Sequence, residues 1–250
     1  MPILPPQDLD HWLLALAVNG LLIGLAQRAP LLTPAGWFHA GILGTLLWGS
    51  LGWRGWLAVV AYLALGSLVT RLGLKEKSAR GLAEGRGGRR GPENVWGSAL
   101  VGCALALVAA HAPQAALAPL LLAFAASFSA KLADTFGSEI GKRWGRRTVL
   151  ITSLRPVPPG TEGAVSLEGT AASLGGAVLM ALVLGSLGFC RGPSDLAVVV
   201  VAGMAATLLE SLVGATLQRR WRWLSNELVN GLQTLLAALL ALALVRLTPG

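Results

Sequence analysis

The sequence has little of what supports a soluble enzyme or a disulfide-linked domain. Only 13% of its 250 residues are charged, and it has two cysteines and a single tyrosine. Cys103 lies inside one apolar run and Cys190 at the end of another, so we expect neither a disulfide framework nor a cysteine metal site. The segment from Met1 to His11 has two aspartates and no basic residue, unlike the n-region of a cleaved signal peptide. We therefore interpret the first apolar run as a retained membrane span.

The motifs of several catalytic classes are also missing. Gly137 to Lys142 reads G-S-E-I-G-K, which is one residue too short for a P-loop, and Arg143 follows where Ser or Thr is required. No kinase glycine loop and no Ser/His/Asp set is evident, and the three histidines lie far from the acidic centre in the predicted topology. What remains is carboxylates, amides, hydroxyls and arginines, which suit metal-assisted phosphoryl or nucleotidyl transfer to a lipid.

Apolar residues dominate the composition, since 54% of the residues are hydrophobic and the mean hydropathy is +0.65. Several apolar runs of about 15 to 22 residues approach the length that crosses a bilayer. The sequence therefore predicts an all-α polytopic membrane helix bundle that forms one domain over residues 1–250. Eight spans are predicted, to within a few residues, at about 12–26, 35–52, 55–72, 95–110, 115–133, 169–189, 196–217 and 228–246.

Basic residues concentrate in alternate loops between these spans. With eight spans, 17 of the 20 lysines and arginines fall on one side, mainly within residues 71–90, 131–155 and 219–222. The positive-inside rule then places these loops in the cytoplasm and both termini outside, as expected for the inner or plasma membrane of a prokaryote. The loops also account for the formal charge of +8, so we expect no nucleic acid partner.

A charged group lies where the fifth span should leave the membrane. Lys131, Asp134 and Ser138 are three and four residues apart, so they share one helix face. Oxygen donors beside a lysine suit a divalent cation that carries phosphate, but an ion-pair cluster that closes a helix end explains them equally well. Glu139 lies about 140° around the helix from Asp134. It reaches the same ligand only if the helix ends or bends near Gly137.

Glu210 is the single charge of the seventh span, and it lies about 11 Å from the cytoplasmic end at 1.5 Å per residue. A carboxylate at that depth needs a partner or a metal. Asn226 and Asn230 share a face at the start of the eighth span. They fit a helix cap and an interhelical hydrogen bond as well as a substrate contact.

Two loops on the basic side carry further candidates. Residues 75–86 are interpreted as a basic tether on anionic lipid headgroups. Arg89 and Arg90, next to Asn94 at a helix start, are instead favoured as residues that fold over a polyphosphate.

The loop from 141 to 167 is the second of these. It leads into the sixth span through small hydroxyl residues and exposed amides, which form a natural anion site at a helix N-terminus. Glu168 fits a helix cap there equally well.

Three stretches resemble an integral-membrane family that includes the plant phytyl-phosphate kinase of tocopherol synthesis. They are residues 133–141 (ADTFGSEIG), residues 151–170 (ITSLRPVPPGTEGAVSLEGT), and residues 210–215 (ESLVGA) together with 226–230 (NELVN). Residues 90–95 are a weaker fourth match. A more distant similarity, through 134–141 and 168–170, is to dolichol kinase, phytol kinase and CDP-diacylglycerol synthase, which use CTP.

The resemblance implies CTP-dependent phosphorylation of an isoprenoid monophosphate to the diphosphate, with Mg²⁺, in a membrane lipid environment. The chain departs from the family pattern at two positions, because the family usually has Asp where this chain has Glu210 and Lys where it has Arg155. Each change keeps the sign of the charge. Neither is neutral at a metal or phosphate site, so the departures leave the isoprenoid substrate open.

Taken together, the residues and the resemblance predict a catalytic group of Asp134, Glu139, Lys142 and Glu210. Its three acids are expected to hold Mg²⁺. The residues expected to bind CTP and the isoprenoid phosphate are Arg89, Arg90, Asn94, Ser138, Thr152, Arg155, Gly160, Thr161, Gly163, Ser166, Glu168, Gly169, Asn226 and Asn230. Two alternatives stay open: a membrane cytidylyltransferase that makes a CDP-lipid, and a transporter or lipid-binding protein whose acids form an ion path.

Overall fold

The structure is a computed structural model that describes residues 4–221 and 223–247, and it is almost entirely helical. Arg222, which was predicted for the last basic loop, lies outside the described residues. Within the described residues the helices are α1 (Leu9–Ala26), α2 (Pro34–Arg71), α3 (Leu74–Ala79), α4 (Pro92–Ala110), α5 (Gln114–Trp144), α6 (Leu167–Ser186), α7 (Pro193–Val213) and α8 (Asn226–Leu247). A 3₁₀ turn covers Gly85–Gly88, a π-helical segment covers Gly214–Gln218, and two short antiparallel strands cover β1 (Val149–Leu150) and β2 (Ala164–Val165).

Helix α2 reverses its direction at Gly52 and so supplies two membrane crossings. In the described part of the chain seven helices are long and apolar enough to cross a membrane, and α2 is the longest, with 38 residues. Gly52 has a φ of 70°, which glycine adopts without a steric penalty. Arg71 at the end of α2 donates a hydrogen bond of 2.7 Å to the carbonyl of Pro30, just before α2 begins. A straight helix of this length would hold its ends about 57 Å apart.

The two arms of α2, 34–51 and 53–71, therefore lie antiparallel, as predicted for the second and third spans. An ideal Cβ on Gly55 would lie only 3.0 Å from the carbonyl oxygen of Leu47, which shows how closely the arms approach after the reversal. With the six other long helices, this hairpin makes the polytopic bundle of about eight spans that the apolar runs predicted.

Helix α5 forms the centre of the bundle and contacts α2, α4, α6, α7 and α8. Its aromatic residues pack together, with the rings of Phe124 and Phe128 at 5.1 Å and the ring of Phe128 at 6.0 Å from that of Tyr62. On another face, small side chains allow the helices to approach closely. This second cluster consists of Ala126, Ala130, Ala202, Ala206, Ala237 and Ala241.

Helix α5 does not end near residue 133, where the fifth span was predicted to leave the membrane, but stays helical to Trp144. With 31 residues, it spans about 46 Å and extends well beyond a hydrocarbon core of about 30 Å. Gly137 does not end or bend the helix. An ideal Cβ at that position would lie 2.0 Å from Oγ of Ser173, so glycine is required there for the close packing of α6 against α5.

Candidate functional site

A polar cavity of about 420 Å³ lies at the end of the bundle where the basic loops gather. Side chains of α2, α4, α5, α6, α7 and α8 form its walls, and residues 84–90 and 159–166 contribute loop segments. It brings together most of the site residues predicted from the sequence. These are Arg89, Arg90, Asn94, Asp134, Ser138, Lys142, Gly160, Thr161, Gly163, Ser166, Gly169, Glu210, Asn226 and Asn230.

Glu139 does not line this cavity. It forms an ion pair with Lys77, and both side chains are buried. Lys142, which does line the cavity, also approaches Glu139 from the other side, with its Nζ 3.5 Å from Oε1. The physical reason is the unbroken helix: without a bend at Gly137, Glu139 stays on a different face from Asp134. The structure therefore does not bring the third predicted metal ligand to the other two.

Three of the predicted binding residues also lie away from the cavity. Thr152 and Arg155 are exposed in the turn that follows β1, where the carbonyl of Arg155 accepts a hydrogen bond of 2.9 Å from the amide of Leu150. Glu168 lies in the first turn of α6 and accepts a hydrogen bond of 3.4 Å from the amide of Arg146. That position matches the helix-end role considered for Glu168, because an acid in a first turn interacts favourably with the helix dipole.

A polar contact between α5 and α8 holds Asp134 at the cavity wall. Lys131 forms an ion pair with Asp134 one turn later on α5, and its Nζ donates a hydrogen bond of 2.9 Å to Oδ1 of Asn230 on α8. The side chain of Lys131 is only 6% exposed, while that of Asp134 is 19% exposed towards the cavity. The shared helix face predicted for Lys131, Asp134 and Ser138 is therefore present, and all three residues line the cavity.

Among the described residues, five acids from separate parts of the chain line this cavity: Glu84, Asp134, Glu162, Glu210 and Glu227. The charges of Asp134, Glu162 and Glu210 act on one another. Glu162 was not among the residues singled out from the sequence, although it lies within the stretch 151–170 that carried the family resemblance. Desolvation raises the pKa of Glu162; the nearby Lys142 lowers it, and the charge of Asp134 raises it further.

The acids fit a divalent cation only with additional ligands. Within the described ranges 4–221 and 223–247, no group of three or more His, Cys, Asp or Glu side chains is close enough to hold a metal ion alone. Mg²⁺ is commonly bound by one or two carboxylates together with water and substrate phosphates. Asp134 and Glu210 therefore suit a cation that arrives with a phosphate ligand.

Arg90 provides a buried cation in the cavity wall. Its guanidinium lies 5.2 Å from the centre of the Tyr62 ring, and the residue is only 8% exposed. The backbone is fixed by hydrogen bonds of 3.0 Å from its amide to the carbonyl of Leu31 and from the amide of Thr33 to its carbonyl. Among the described residues, Nη1 of Arg90 has no hydrogen-bond partner. Because a buried donor normally has one, this atom is suited to receive a phosphate or carboxylate oxygen.

The interpretation of residues 75–86 as a basic tether does not hold for Lys77 and Arg86, whereas Lys75 and Arg80 are exposed. Leu74–Ala79 form α3, in which Lys77 is fully buried. Arg86 lines the cavity, pairs with Glu93 and donates a hydrogen bond of 3.1 Å to Oδ1 of Asn94. It adopts a left-handed φ of 57° and is followed by Gly87 and Gly88, also at positive φ. These glycines permit the tight turn that brings Arg89 and Arg90 to the cavity.

The loop before α6 covers the cavity and is held against the end of α7. Gly163 has a φ of 75°, and an ideal Cβ there would lie 2.4 Å from the Cβ of Ala215 in the π-helical segment. Ser166 caps α6, since its Oγ accepts a hydrogen bond of 3.1 Å from the amide of Gly169. A π-helical turn in an otherwise α-helical segment is often found at functional sites. Here Gly163 of the loop packs directly on Gly214 and Ala215 of this segment.

Comparison with known proteins shows where the chain belongs. Residues 17–238 match the family described as Integral membrane protein DUF92. The chain belongs to this family. Its relatives include Protein VTE6, chloroplastic, of Arabidopsis thaliana, with 40% identity over 242 residues that cover 92% of this chain and 71% of the plant protein. This match confirms the resemblance, found in the motifs, to the family that includes the plant phytyl-phosphate kinase.

Two further relatives are prokaryotic. An uncharacterized membrane protein of Synechocystis is 50% identical over 238 residues, which cover 93% of this chain and 91% of the relative. An uncharacterized membrane protein of Methanocaldococcus jannaschii is 31% identical over 231 residues, which cover 91% of this chain and 90% of the relative. No solved structure matches this DUF92 chain.

Proposed function

We propose that this membrane protein transfers a phosphoryl group from a nucleoside triphosphate, with CTP as the expected donor, to an isoprenoid monophosphate such as phytyl phosphate. The product is the isoprenoid diphosphate. One observation carries the proposal: Arg90, whose Nη1 has no hydrogen-bond partner among the described residues, lines a single cavity with Asp134 and Glu210. Paired acids and a buried cation around one cavity fit a metal ion bound to phosphate, which is the substrate form in phosphoryl transfer. Membership of the family that includes the plant phytyl-phosphate kinase supports the same reaction.

Asp134 and Glu210 are the residues proposed to hold Mg²⁺. When bound, the ion would neutralise the negative charge that spreads over the phosphate oxygens during transfer. The protein contributes the orientation of its ligands. Lys131, tied to Asn230 on α8, keeps the Asp134 carboxylate at the cavity wall, and Glu210 approaches from α7. Two carboxylates on different helices thus present oxygen atoms to one space.

Arg90 and Lys142, which both line the cavity, are proposed to bind the phosphates. They reduce the repulsion between the nucleotide and the acceptor phosphate, and so allow the two anions to approach. An oxygen of the acceptor phosphate forms a bond to the γ-phosphorus, and the bond between that phosphorus and the β–γ bridging oxygen breaks. The nucleoside diphosphate leaves. A monophosphate ester is largely ionised at neutral pH, with a second pKa of about 6, so the acceptor needs no general base.

We further propose that the cavity faces the cytoplasm of a prokaryotic inner membrane and that both termini lie outside. The loops at the cavity end are the ones that carry most of the lysines and arginines. Such loops remain on the cytoplasmic side during insertion. Cytoplasmic nucleotides would then reach the cavity directly.

The test uses the purified protein in lipid nanodiscs with Mg²⁺, each labelled nucleoside triphosphate, and phytyl, geranylgeranyl and farnesyl phosphate in turn. A kinase forms the prenyl diphosphate and leaves the nucleoside diphosphate, and EDTA stops the reaction. A cytidylyltransferase instead releases pyrophosphate and forms a CDP-lipid. If the protein neither binds nor consumes any nucleotide, the proposal fails, and a transporter or lipid-binding role is favoured.

A further inference from the structure

We propose that the hydrocarbon tail of the prenyl phosphate enters the cavity sideways from the bilayer, through a window between α6 and α7 at the level of Thr170 and Leu208. The identity of the ligand rests on the proposed function. The position of the window rests on where cavity-lining residues of α6 and α7 are also exposed on the outside of the bundle.

The lower edge of the window is closed at Ser129 of α5. Oγ of Ser129 donates a hydrogen bond of 3.2 Å to the carbonyl of Ala177 on α6. On the other side, an ideal Cβ on Gly203 of α7 would lie 2.7 Å from the same Oγ. Both helices therefore pack tightly on α5 at this depth, and no chain can pass between them there.

The upper edge is closed by the loop that leads into α6. The amide nitrogen of Gly163 would lie 3.1 Å from an ideal Cβ on Gly214, and Gly163 also packs on Ala215. The loop thus crosses from α6 to the π-helical end of α7. Between this crossing and Ser129, both helices contribute residues to the cavity wall, among them Thr170 of α6 and Leu208 of α7.

Between the two edges, a single layer of α7 side chains separates the cavity from the outside of the bundle. Met204 and Leu208 line the cavity, yet Leu208 is also 43% exposed on the outside of the bundle. Thr170 on α6 likewise lines the cavity and is exposed. Leu208 lies five residues before the end of α7, or about 7.5 Å along the helix axis. The exposed side chain of Leu208 therefore lies within the apolar span Pro193–Gln218 rather than in a loop.

The polarity of the window matches an amphiphile. Asp134 and Ser138 of α5 line the polar interior of the cavity, whereas Met204 and Leu208 are apolar. A prenyl phosphate whose phosphate faces Arg90 and Asp134 would pass its hydrocarbon chain over these two α7 side chains into the lipid. This arrangement leaves the charged group in the polar cavity and the chain in an apolar solvent.

Other seams around the cavity are closed by specific contacts. Tyr62 on α2 donates a hydrogen bond of 3.1 Å to Oγ of the buried Ser98 on α4. An ideal Cβ on Gly97 of α4 would lie 2.9 Å from the carbonyl oxygen of Glu227 on α8. Gln233 of α8 donates a hydrogen bond of 3.0 Å to Oγ1 of Thr207 on α7. These contacts close the α2–α4, α4–α8 and α7–α8 seams, whereas Thr170 and Leu208 on the α6–α7 side are exposed on the outside of the bundle.

The kinetic test places a bulky side chain in the window. In Leu208→Trp we expect the KM for farnesyl phosphate to rise at least about tenfold, while the KM for the nucleotide and for the water-soluble dimethylallyl phosphate changes less than about threefold. Leu212→Trp is the matched control, because Leu212 is 42% exposed on the same helix and does not line the cavity. Equal effects of the two substitutions would overturn the window.

A second measurement does not depend on turnover. A farnesyl phosphate analogue with a diazirine near the end of its tail is photolysed with the protein in nanodiscs, and unmodified farnesyl phosphate, but not farnesol, should compete. Cross-links on the outer faces of α6 and α7, such as Val178 and Val201, support the window even if no nucleotide is consumed. Cross-links confined to α1, α2, α4 or α8 would exclude it, even if the kinase activity is present.

Discussion

Lys77 of α3 and Glu139 of α5 form an ion pair in which the side chains are 0% and 1% exposed, respectively. Nζ of Lys77 also donates a hydrogen bond of 2.8 Å to the carbonyl of Thr70 at the end of α2. The pair therefore fixes the start of the loop that carries Arg86, Arg89 and Arg90 to the cavity. This relationship gives Glu139 a structural role next to the site rather than a place in it.

The first prediction follows from the burial of this pair. Replacing Glu139 by Gln should lower the free energy of unfolding by about 3–5 kcal/mol, because the charge of Lys77 is left buried without a partner. The combined variant Lys77→Met, Glu139→Leu should recover much of this loss. Unfolding in mixed detergent micelles measures both. A Glu139→Gln protein that is fully stable but inactive would contradict the structural role and favour a direct role in the reaction.

The second prediction concerns Asp134. Asp134→Asn should remain folded, because Lys131 keeps its hydrogen bond to Asn230, although with reduced stability since the ion pair is lost. The rate of phosphoryl transfer should fall by more than about 100-fold, which exceeds the usual effect of residues that only support a metal ligand. Asp10→Asn, exposed at the other end of the bundle, is the control and should behave as the wild type. Full activity of Asp134→Asn would remove Asp134 from the mechanism.

The third prediction distinguishes Arg90 from a general basic charge. Arg90→Lys keeps the charge but loses the planar donor group beside the Tyr62 ring. We expect the KM for one of the phosphate substrates to rise about 10- to 100-fold, which matches a charged hydrogen bond of about 1.5–3 kcal/mol. Arg28→Lys, exposed and outside the cavity, should change neither KM. Unchanged constants in Arg90→Lys would show that the unpartnered guanidinium does not bind substrate.

The fourth prediction uses the departure of this chain from the family pattern. Glu210→Asp restores the usual family residue and keeps the carboxylate, so it should retain at least about a tenth of the activity. Glu210→Gln keeps the size but removes the charge, and the rate should fall by more than about 100-fold. Isothermal titration with Mg²⁺ and nucleotide together provides the binding measurement. Equal activity of the Asp and Gln variants would exclude a carboxylate role at this position.

The fifth prediction concerns the pH dependence of stability. The pKa of Glu162 is raised above its ordinary value of 4.5, mainly by desolvation, so the folded state binds this proton more tightly than the unfolded state. The contribution of Glu162 to stability is therefore complete below pH 4.5 and is lost as the pH rises through the raised pKa.

Glu162→Gln should for this reason be more stable than the wild type at pH 7, and the difference should shrink as the pH falls towards 4.5. Thermal unfolding in EDTA without nucleotide measures this difference across the pH range. A Gln variant that is less stable at neutral pH would indicate that attraction to Lys142 outweighs desolvation.

Much of the fold could be predicted because it depends on local composition. Apolar runs and alternating basic loops are visible in the chain, and each reflects the cost of placing polar groups in lipid. The helix face shared by Lys131, Asp134 and Ser138 could be predicted as well, since helical periodicity depends only on the spacing of residues. The motif stretches also predicted further cavity residues, including Thr161, Gly163 and Asn226.

The errors arose where a residue's role depends on a neighbour that is distant in sequence. Gly137 was weighed as a bend, but Ser173 on α6 occupies the space its side chain would fill. The sequence groups Glu139 with Asp134 because both lie in one segment, whereas its partner Lys77 lies in α3, 62 residues earlier. Lys77 itself was interpreted as a surface charge, since nothing near it in the sequence shows that it is buried.

The sequence by itself determined the membrane class, the number of spans and the types of side chain at the basic end of the bundle, because bilayer energetics act on each segment separately. Only the tertiary structure decided which acids share a space. Asp134, Glu162 and Glu210 meet around one cavity because α5, α7 and the loop before α6 pack at glycine and alanine contacts. The same packing pairs Glu139 with Lys77, since complementary charges buried in a low dielectric must find each other across the fold.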